Sequence, residues 1–205
     1  MLNQVQNDRG LILLGQPHFF KDSKMKFLIA SDIHGSASYC HKLLERFNAE
    51  NADRLFLLGD ILYHGPRNDL PEGYNPKEVI SMLNPLKEKI FCVRGNCDTE
   101  VDQMVLEFPI LADYAILENA GHIIYATHGH IYGEKNPPML HKGDILLNGH
   151  THIPAFKEYQ NFTYINPGSV SIPKENSHHG YILLENNIWL WKDLDGKTVR
   201  KENLN

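Results

Sequence analysis

The spacing of apolar and polar positions makes the first half of the chain read as strand, helix, strand, helix, strand. Lys26-Phe27-Leu28-Ile29-Ala30-Ser31 is an apolar run of strand length that opens at Met25. After it, Cys40, Leu43, Leu44 and Phe47 fall at i, i+3, i+4 and i+7, one stripe at the helical period. That predicts a helix capped by Ser36 or Ser38, with His41, Lys42, Glu45 and Arg46 facing water. Leu55-Phe56-Leu57-Leu58 predicts a second strand, followed by a long Gly/Pro-rich loop from His64-Gly65-Pro66-Arg67-Asn68 through Glu72-Gly73. Loops of that length in compact domains are often functional. Asn75-Pro76-Lys77-Glu78 is a helix start, with Asn at the cap, Pro at the first helical position and an acid at the third. Val79, Ile80, Met82, Leu83 and Leu86 supply its apolar face, and Pro85 shortens or kinks it. Ile90-Phe91-Cys92-Val93 is the third strand. The order predicts a parallel sheet with right-handed crossovers.

The second half changes character. Residues 114–127 read as a hairpin around Asn119-Ala120-Gly121, and Asp144-Ile145-Leu146-Leu147-Asn148 as a further strand. Short strand-like runs follow at 153–158, 162–166, 180–185 and 188–193, divided by turn clusters. No repeat, low-complexity tract or break in composition interrupts them. The expected fold is therefore α/β: one domain over 25–205, parallel units first, with the later strands forming a second layer packed against them. Residues 1–24 are an N-terminal extension of unclear role. Leu11-Ile12-Leu13-Leu14 falls short of the roughly 7 to 15 apolar residues of a signal-peptide core, and no small-residue cleavage site follows.

At 205 residues the chain has the length for one well-buried core. A formal charge of -5 leaves no basic footprint, so bulk nucleic-acid binding is not expected. Three cysteines, Cys40, Cys92 and Cys97, make no disulfide framework and fit reduced thiols in a cytoplasmic protein. No apolar run approaches the roughly 20 residues that span a bilayer, so no membrane partner is expected, and a homo-oligomer stays open.

The twelve histidines matter through their positions. Asp32 and His34 end the first strand as Asp-x-His-Gly, where ligands gather in α/β proteins. Asp60, Asn96, His128, His150 and His152 each stand just past another apolar run. Carboxylate, imidazole and amide oxygen together suit Mn, Fe, Zn or similar divalent ions. Two such ions can clamp a phosphate and turn bound water into hydroxide, with Asp60 as the bridging carboxylate. Two dications against two aspartates leave a positive centre, which suits an anionic ester.

The order Asp-x-His, Gly-Asp, Gly-Asn-x-Asp, His, Gly-His-Thr-His resembles the calcineurin-like metallophosphoesterase superfamily. Ser31-Asp32-Ile33-His34-Gly35, His64-Gly65-Pro66-Arg67-Asn68, Arg94-Gly95-Asn96-Cys97-Asp98 and Asn166-Pro167-Gly168-Ser169-Val170-Ser171-Ile172-Pro173-Lys174 resemble its small bacterial phosphodiesterase branch, the YfcE-like proteins. The resemblance spans about Met25 to Asp195. It implies two packed, mostly β sheets flanked by helices in a four-layer sandwich. It also implies a dinuclear centre often holding Mn, with Fe, Zn, Ni or Co as alternatives, and in-line attack on a phosphodiester by a hydroxide between the ions. One ion would lie on Asp32, His34, Asp60 and His152, the other on Asp60, Asn96, His128 and His150. A phosphomonoesterase and a non-catalytic scaffold of the same fold are the alternatives.

The superfamily often carries His where this chain has Cys97, although the YfcE-like branch also has Cys there. A thiol with a pKa of about 8.5 is a poor general acid at neutral pH. The leaving group should therefore need little protonation, or receive help from His130; Cys97 is otherwise a structural thiol. Arg67 and Asn68 are candidate substrate contacts, Arg67 either forking onto a phosphate oxygen or standing in solvent. His64 shares their loop. Asp98 is expected to orient a neighbouring ligand. Asn166 to Lys174 should pack as a turn beneath the site, and His18, His41, His122, His141, His178 and His179 are expected at the surface.

Overall fold

β1 (Lys26–Ala30) is buried on both faces, because its apolar run has no polar alternation to offer water. In the computed structural model, which describes residues 25–204, it lies in the middle of a sheet; the extension 1–24 lies outside the described residues. β1 pairs in parallel with β2 (Arg54–Leu57), and β2 in parallel with β3 (Ile90–Cys92). The two crossovers carry α1 (Ala37–Ala49) and α2 (Pro76–Leu83). Ser36 caps α1 by accepting the Tyr39 N–H at 3.2 Å, and Asn75 caps α2 by accepting from the Glu78 N–H. Pro85 ends α2 as expected, and a 3-10 turn over Asn84–Lys89 leads into β3. A four-residue helix, α3 (Glu100–Gln103), follows the third strand; it is too short to leave a periodic signal.

β4 (Ala115–Asn119) and β5 (His122–Ala126) form the expected hairpin, with Ala120 and Gly121 both at positive φ as a two-residue turn requires. β6 (Asp144–Leu147), β7 (Pro154–Glu158) and β8 (Phe162–Pro167) complete a five-stranded sheet in the order β4-β5-β6-β8-β7. The expectation that all later strands join this layer needs correction. β9 (Gly180–Glu185), β10 (Ile188–Asp193) and β11 (Thr198–Asn203) return to the first sheet, whose order is β11-β10-β9-β1-β2-β3. The reason is the free edge of β1, which would otherwise hold unpaired backbone groups in the interior. β9, buried from Gly180 to Leu184, is apolar enough to fill that place. β11 was not legible: Thr-Val-Arg-Lys-Glu-Asn is the composition of a solvated edge strand.

The first sheet therefore has two apolar faces. One packs Leu28, Leu55, Leu57 and Leu183 against Leu43, Phe47, Val79 and Leu83 of the helices. The other packs Ile29, Phe56, Ile182, Trp189 and Trp191 against Ile124, Ile145, Leu147 and Ile165 of the second sheet. Over the outer face of the second sheet lies the loop after β5, where Glu134 takes Lys157 Nζ at 2.6 Å and the Tyr159 hydroxyl. Between the open edges of β3 and β4 runs an apolar groove of about 630 Å³, lined by Phe27, Phe56, Phe91 and Tyr114 among others. The chemistry lies elsewhere, at the carboxyl ends of the strands. No helix among the described residues is long and apolar enough to cross a membrane.

Candidate metal centre

The loops leaving β1, β2 and β3 in one sheet meet those leaving β5 and β6 in the other. Asp32, His34, Asp60, His128 and His152 are all at most 3% exposed there, while His150 is half-buried and Asn96 is open to solvent. Close approach depends on glycines. A Cβ on Gly59 would stand 2.4 Å from the Gly95 nitrogen, and one on Gly95 would stand 2.1 Å from Asp60 Oδ1. The backbone is also strained. Asp32, His34, Asp60, His150 and His152 sit at φ of 60°, 49°, 56°, 64° and 62°. A non-glycine residue in the left-handed region costs roughly 1 kcal/mol or more, and such costs concentrate where function needs the side chain.

Backbone carbonyls aim the imidazoles. Nδ1–H of His34 donates to Tyr63 O at 2.7 Å, that of His128 to Leu58 O at 2.6 Å, and that of His152 to Ile172 O at 2.6 Å. A carbonyl oxygen can only accept, so each Nδ1 carries its proton and each Nε2 faces the centre, free to bind a cation in the neutral ring. His34 Nε2 then lies 3.3 Å from His152 Nε2, and these two lie 3.6 Å and 3.2 Å from Asp32 Oδ1. Two lone pairs and a carboxylate oxygen cannot hydrogen-bond to one another. Asp32 Oδ1 is in fact buried without a hydrogen-bond partner. Donors sharing one ion at bonds of 2.0–2.2 Å stand roughly 3.0–3.6 Å apart, so the spacing fits a divalent cation. Asp32, His34 and His152 form one group able to hold an ion.

A second group lies beside the first. His128 Nε2 is 3.1 Å from Asn96 Oδ1, 3.2 Å from His150 Nδ1 and 3.4 Å from Asp60 Oδ2. Asp60 Oδ2 is also 3.7 Å from His34 Nε2, so one oxygen faces both groups. The other oxygen, Oδ1, accepts the Cys97 N–H at 2.8 Å, which fixes the carboxylate plane. Asp98 accepts the backbone N–H groups of Asp60, Ile61 and Gly95 at 2.8, 2.9 and 2.7 Å, and so ties the β2 loop to the β3 loop. This is the orienting role expected of it.

The electrostatics agree. Burial opposes charge throughout, yet the His152 and His34 rings beside it hold Asp32 well below the usual carboxylate range. Burial likewise works against a charged His128, but Asp60 and Asp32 push it up to about 9 when protons are the only cations. His150, desolvated and beside His128, falls to about 4 and keeps its lone pair free. Two buried carboxylates demand positive charge.

The remaining candidates sit at the rim. The His130 ring is exposed, 5.4 Å from the His128 ring and 6.3 Å from that of His150. The Cys97 thiol is buried 8% exposed, with His34 and Asp60 as close neighbours; burial first, then the Asp60 carboxylate, push its pKa up. Arg67 is exposed and makes no ion pair among the described residues. Its loop backs onto the centre at Gly65, where a Cβ would meet Cys97 Sγ at 3.2 Å. Asn68 donates its amide to His64 O at 2.8 Å and braces that loop. His41 and His141 are exposed as expected, His18 lies outside the described residues, and His122, His178 and His179 are instead half-buried: His179 stacks on Tyr39 at 4.1 Å and donates to Val170 O. Sequence reasoning did not foresee the carbonyls of Leu58, Tyr63 and Ile172, because any residue type supplies one.

Comparison with known proteins agrees with this geometry. The model of the calcineurin-like phosphoesterase superfamily domain matches residues 25–187. The phosphodiesterase YfcE of Escherichia coli K12 is 46% identical over 164 residues, covering 80% of this chain and 89% of that protein. The solved structure of the E. coli phosphoesterase Yfce superposes with a TM-score of 0.85 at 43% identity, over 88% of this chain and 100% of that one. Wild-type Vps29 of Entamoeba histolytica, solved with Zn2+, shares the fold at 22% identity and a TM-score of 0.57, over 88% of this chain and 100% of that one.

Proposed function

Since the chain belongs to the calcineurin-like phosphoesterase superfamily, we propose that its strand-end centre holds two divalent cations, manganese foremost, and hydrolyses a small phosphodiester. The observation that carries this reading is the sharing of Asp60 Oδ2 between two converging groups of donors, at 3.7 Å from His34 and 3.4 Å from His128. One position would take Asp32, His34, Asp60 and His152; the other Asp60, Asn96, His128 and His150. The donor set of carboxylate, imidazole and amide oxygen suits Mn and equally Fe, Zn, Ni or Co. When bound, such a pair supplies a nucleophilic water at neutral pH and charge stabilisation for the phosphoryl group.

The chain's own groups do the rest. Exposed Asn96 and half-buried His150 leave the second position open, so a phosphate approaches from that side, past His130. Arg67, exposed and without an ion pair among the described residues, would take a phosphate oxygen or the far substituent of the ester. Cys97 holds its proton, which opposes a covalent thiolate route and makes it a weak donor to a leaving oxygen. Diesters with stable leaving groups are the favoured class. One domain over 25–205 goes with this reading, and three free cysteines support a cytoplasmic setting.

The test is turnover of bis-p-nitrophenyl phosphate against p-nitrophenyl phosphate, after chelation and after adding Mn2+ back. Faster diester cleavage that depends on the metal supports the reading. Preference for the monoester, or metal uptake with no turnover, overturns it.

A further inference from the structure

Asp32 is held by the same segment whose Ile172 carbonyl aims His152. After β8, the chain crosses from the second sheet to the first through Gly168–His179. Within that crossing Ser169 is fully buried and Ser171 is 5% exposed. Both hydroxyls donate to one acceptor, the backbone carbonyl of Asp32, at 2.9 Å each. Asp32 stands in the left-handed region at φ 60°, and its carbonyl faces the crossing. The Ser171 N–H also donates to this carbonyl, but at 3.4 Å, so the two hydroxyls are its shorter partners and their loss leaves a buried acceptor with one long bond. The Asp32 N–H is held from the other side by Gly59 O at 3.1 Å.

The same segment also reaches His152. Ser169 Oγ accepts the N–H of Ile172 at 2.9 Å and that of Ser171 at 3.2 Å. Ile172 O in turn accepts Nδ1–H of His152 at 2.6 Å. Asn166, where β8 ends, donates to Gly149 O at 2.7 Å and so fixes the loop bearing both histidines. One short stretch thus sets the backbone of Asp32, in the first sheet, and the ring of His152, in the second. The other position has anchors of its own, Leu58 O for His128 and the Cys97 N–H and Asp98 for Asp60, and touches the first only where the His150 N–H donates to Asp32 Oδ2 at 3.1 Å.

We propose that Ser169 and Ser171 are positioning residues for a single metal position, the one formed by Asp32, His34, Asp60 and His152. Losing their hydroxyls weakens that position selectively and leaves the one formed by Asp60, Asn96, His128 and His150. This rests on the two-cation reading given above.

The test uses the full chain, stripped by chelation, as wild type, S169A, S171A and S169A/S171A. A fifth variant, S36A, removes a buried hydroxyl that donates to Glu72 O at 2.6 Å and caps α1, and that has no hydrogen bond to any of the proposed ligands. Mn2+ is titrated in, free ion is followed by electron paramagnetic resonance and heat by calorimetry. Wild type and S36A should bind two equivalents. The serine variants should bind one with unchanged affinity and the other about 10- to 100-fold more weakly, the range for losing an outer support of a ligand. Their kcat at limiting Mn2+ should fall in step and recover as Mn2+ is raised. Two equivalents at wild-type affinity, or both weakened by the same factor, would overturn the assignment. If the double variant loses its far-ultraviolet dichroism, S171A alone decides by the same criteria. A wild type that takes up no Mn2+ defeats the two-cation reading itself, an outcome distinct from unselective loss in the variants.

Discussion

Asp60 concentrates the argument in one side chain: Oδ1 is spoken for by the Cys97 N–H, so only Oδ2 is left to face both donor groups. Asp60→Asn removes one negative charge and puts an amide where a shared oxygen is needed. Diester turnover should fall by at least about 10³-fold, some 4 kcal/mol of transition-state stabilisation, with both ions bound more weakly. Stopped assays with bis-p-nitrophenyl phosphate and metal analysis check both statements. His128 gives a second prediction. Asp60 and Asp32 push its imidazole up to about 9 without a metal, so at pH 7 it carries a proton on the nitrogen that faces Asp60. A metal ion must displace that proton. Uptake at pH 7 should therefore release protons, and affinity should climb as pH rises toward about 9 and level off beyond it. Calorimetry in buffers of different ionisation enthalpy reads the release directly; a heat independent of buffer would contradict it.

At the scale of elements, the end of α1 shows how the sheet fixes a helix. Glu50 follows the last turn and accepts the Tyr181 hydroxyl at 2.8 Å and the Lys192 ammonium, from β9 and β10. Burial pushes the Glu50 carboxyl up, but Lys192 and Tyr181 outweigh it and hold the group below its usual value. Glu50→Gln should cost about 2 kcal/mol at pH 7, the range for hydrogen bonds to a charged group. Because the folded value is depressed, the wild-type advantage is complete above the ordinary glutamate value of about 4.3 and disappears as pH falls through the lower folded value. Urea unfolding of both proteins at pH 7 and pH 3 measures it. That tie was invisible in the sequence, since its partners lie 131 and 142 positions away. α1 itself was legible: Cys40, Leu43 and Phe47 are buried and Ser36 caps it, because stripe and cap are local facts. So were the strand-end pieces from Asp32-x-His34 to His150-x-His152, each carried by an apolar run that ends. What could not be read was return, the way β9 to β11 rejoin the first sheet, which depends on an edge left open far upstream.

For the whole molecule, the centre matters because it stands where two independent sheets meet. Under the proposed ligand sets, each cation takes donors from both: Asp32 and His34 with His152, and Asn96 and Asp60 with His128 and His150. Elsewhere the two sheets meet mostly through apolar contacts such as Ile29 and Phe56 against Ile124, Ile145 and Ile165, which resist separation better than small slides, with the Trp191 Nε1–H to Asn166 O bond at 2.8 Å as a directional tie. Cations binding only the folded chain stabilise it by mass action, by about 2.7 kcal/mol for one ion at a hundred times its Kd. For a chain of this size that raises Tm by roughly 5–10 °C, and chelation should remove the increment. The change should also be local. Hydrogen exchange should speed up on chelation in the strand-end loops around Asp32, His150 and Ser169, where backbone strain is held by the site. The inner strands β1, β5 and β6 should keep their protection, because their apolar faces do not depend on the metal. A chelator that leaves Tm unchanged, or that exposes the strand interiors and the loops alike, would show that the two sheets are not joined through the centre.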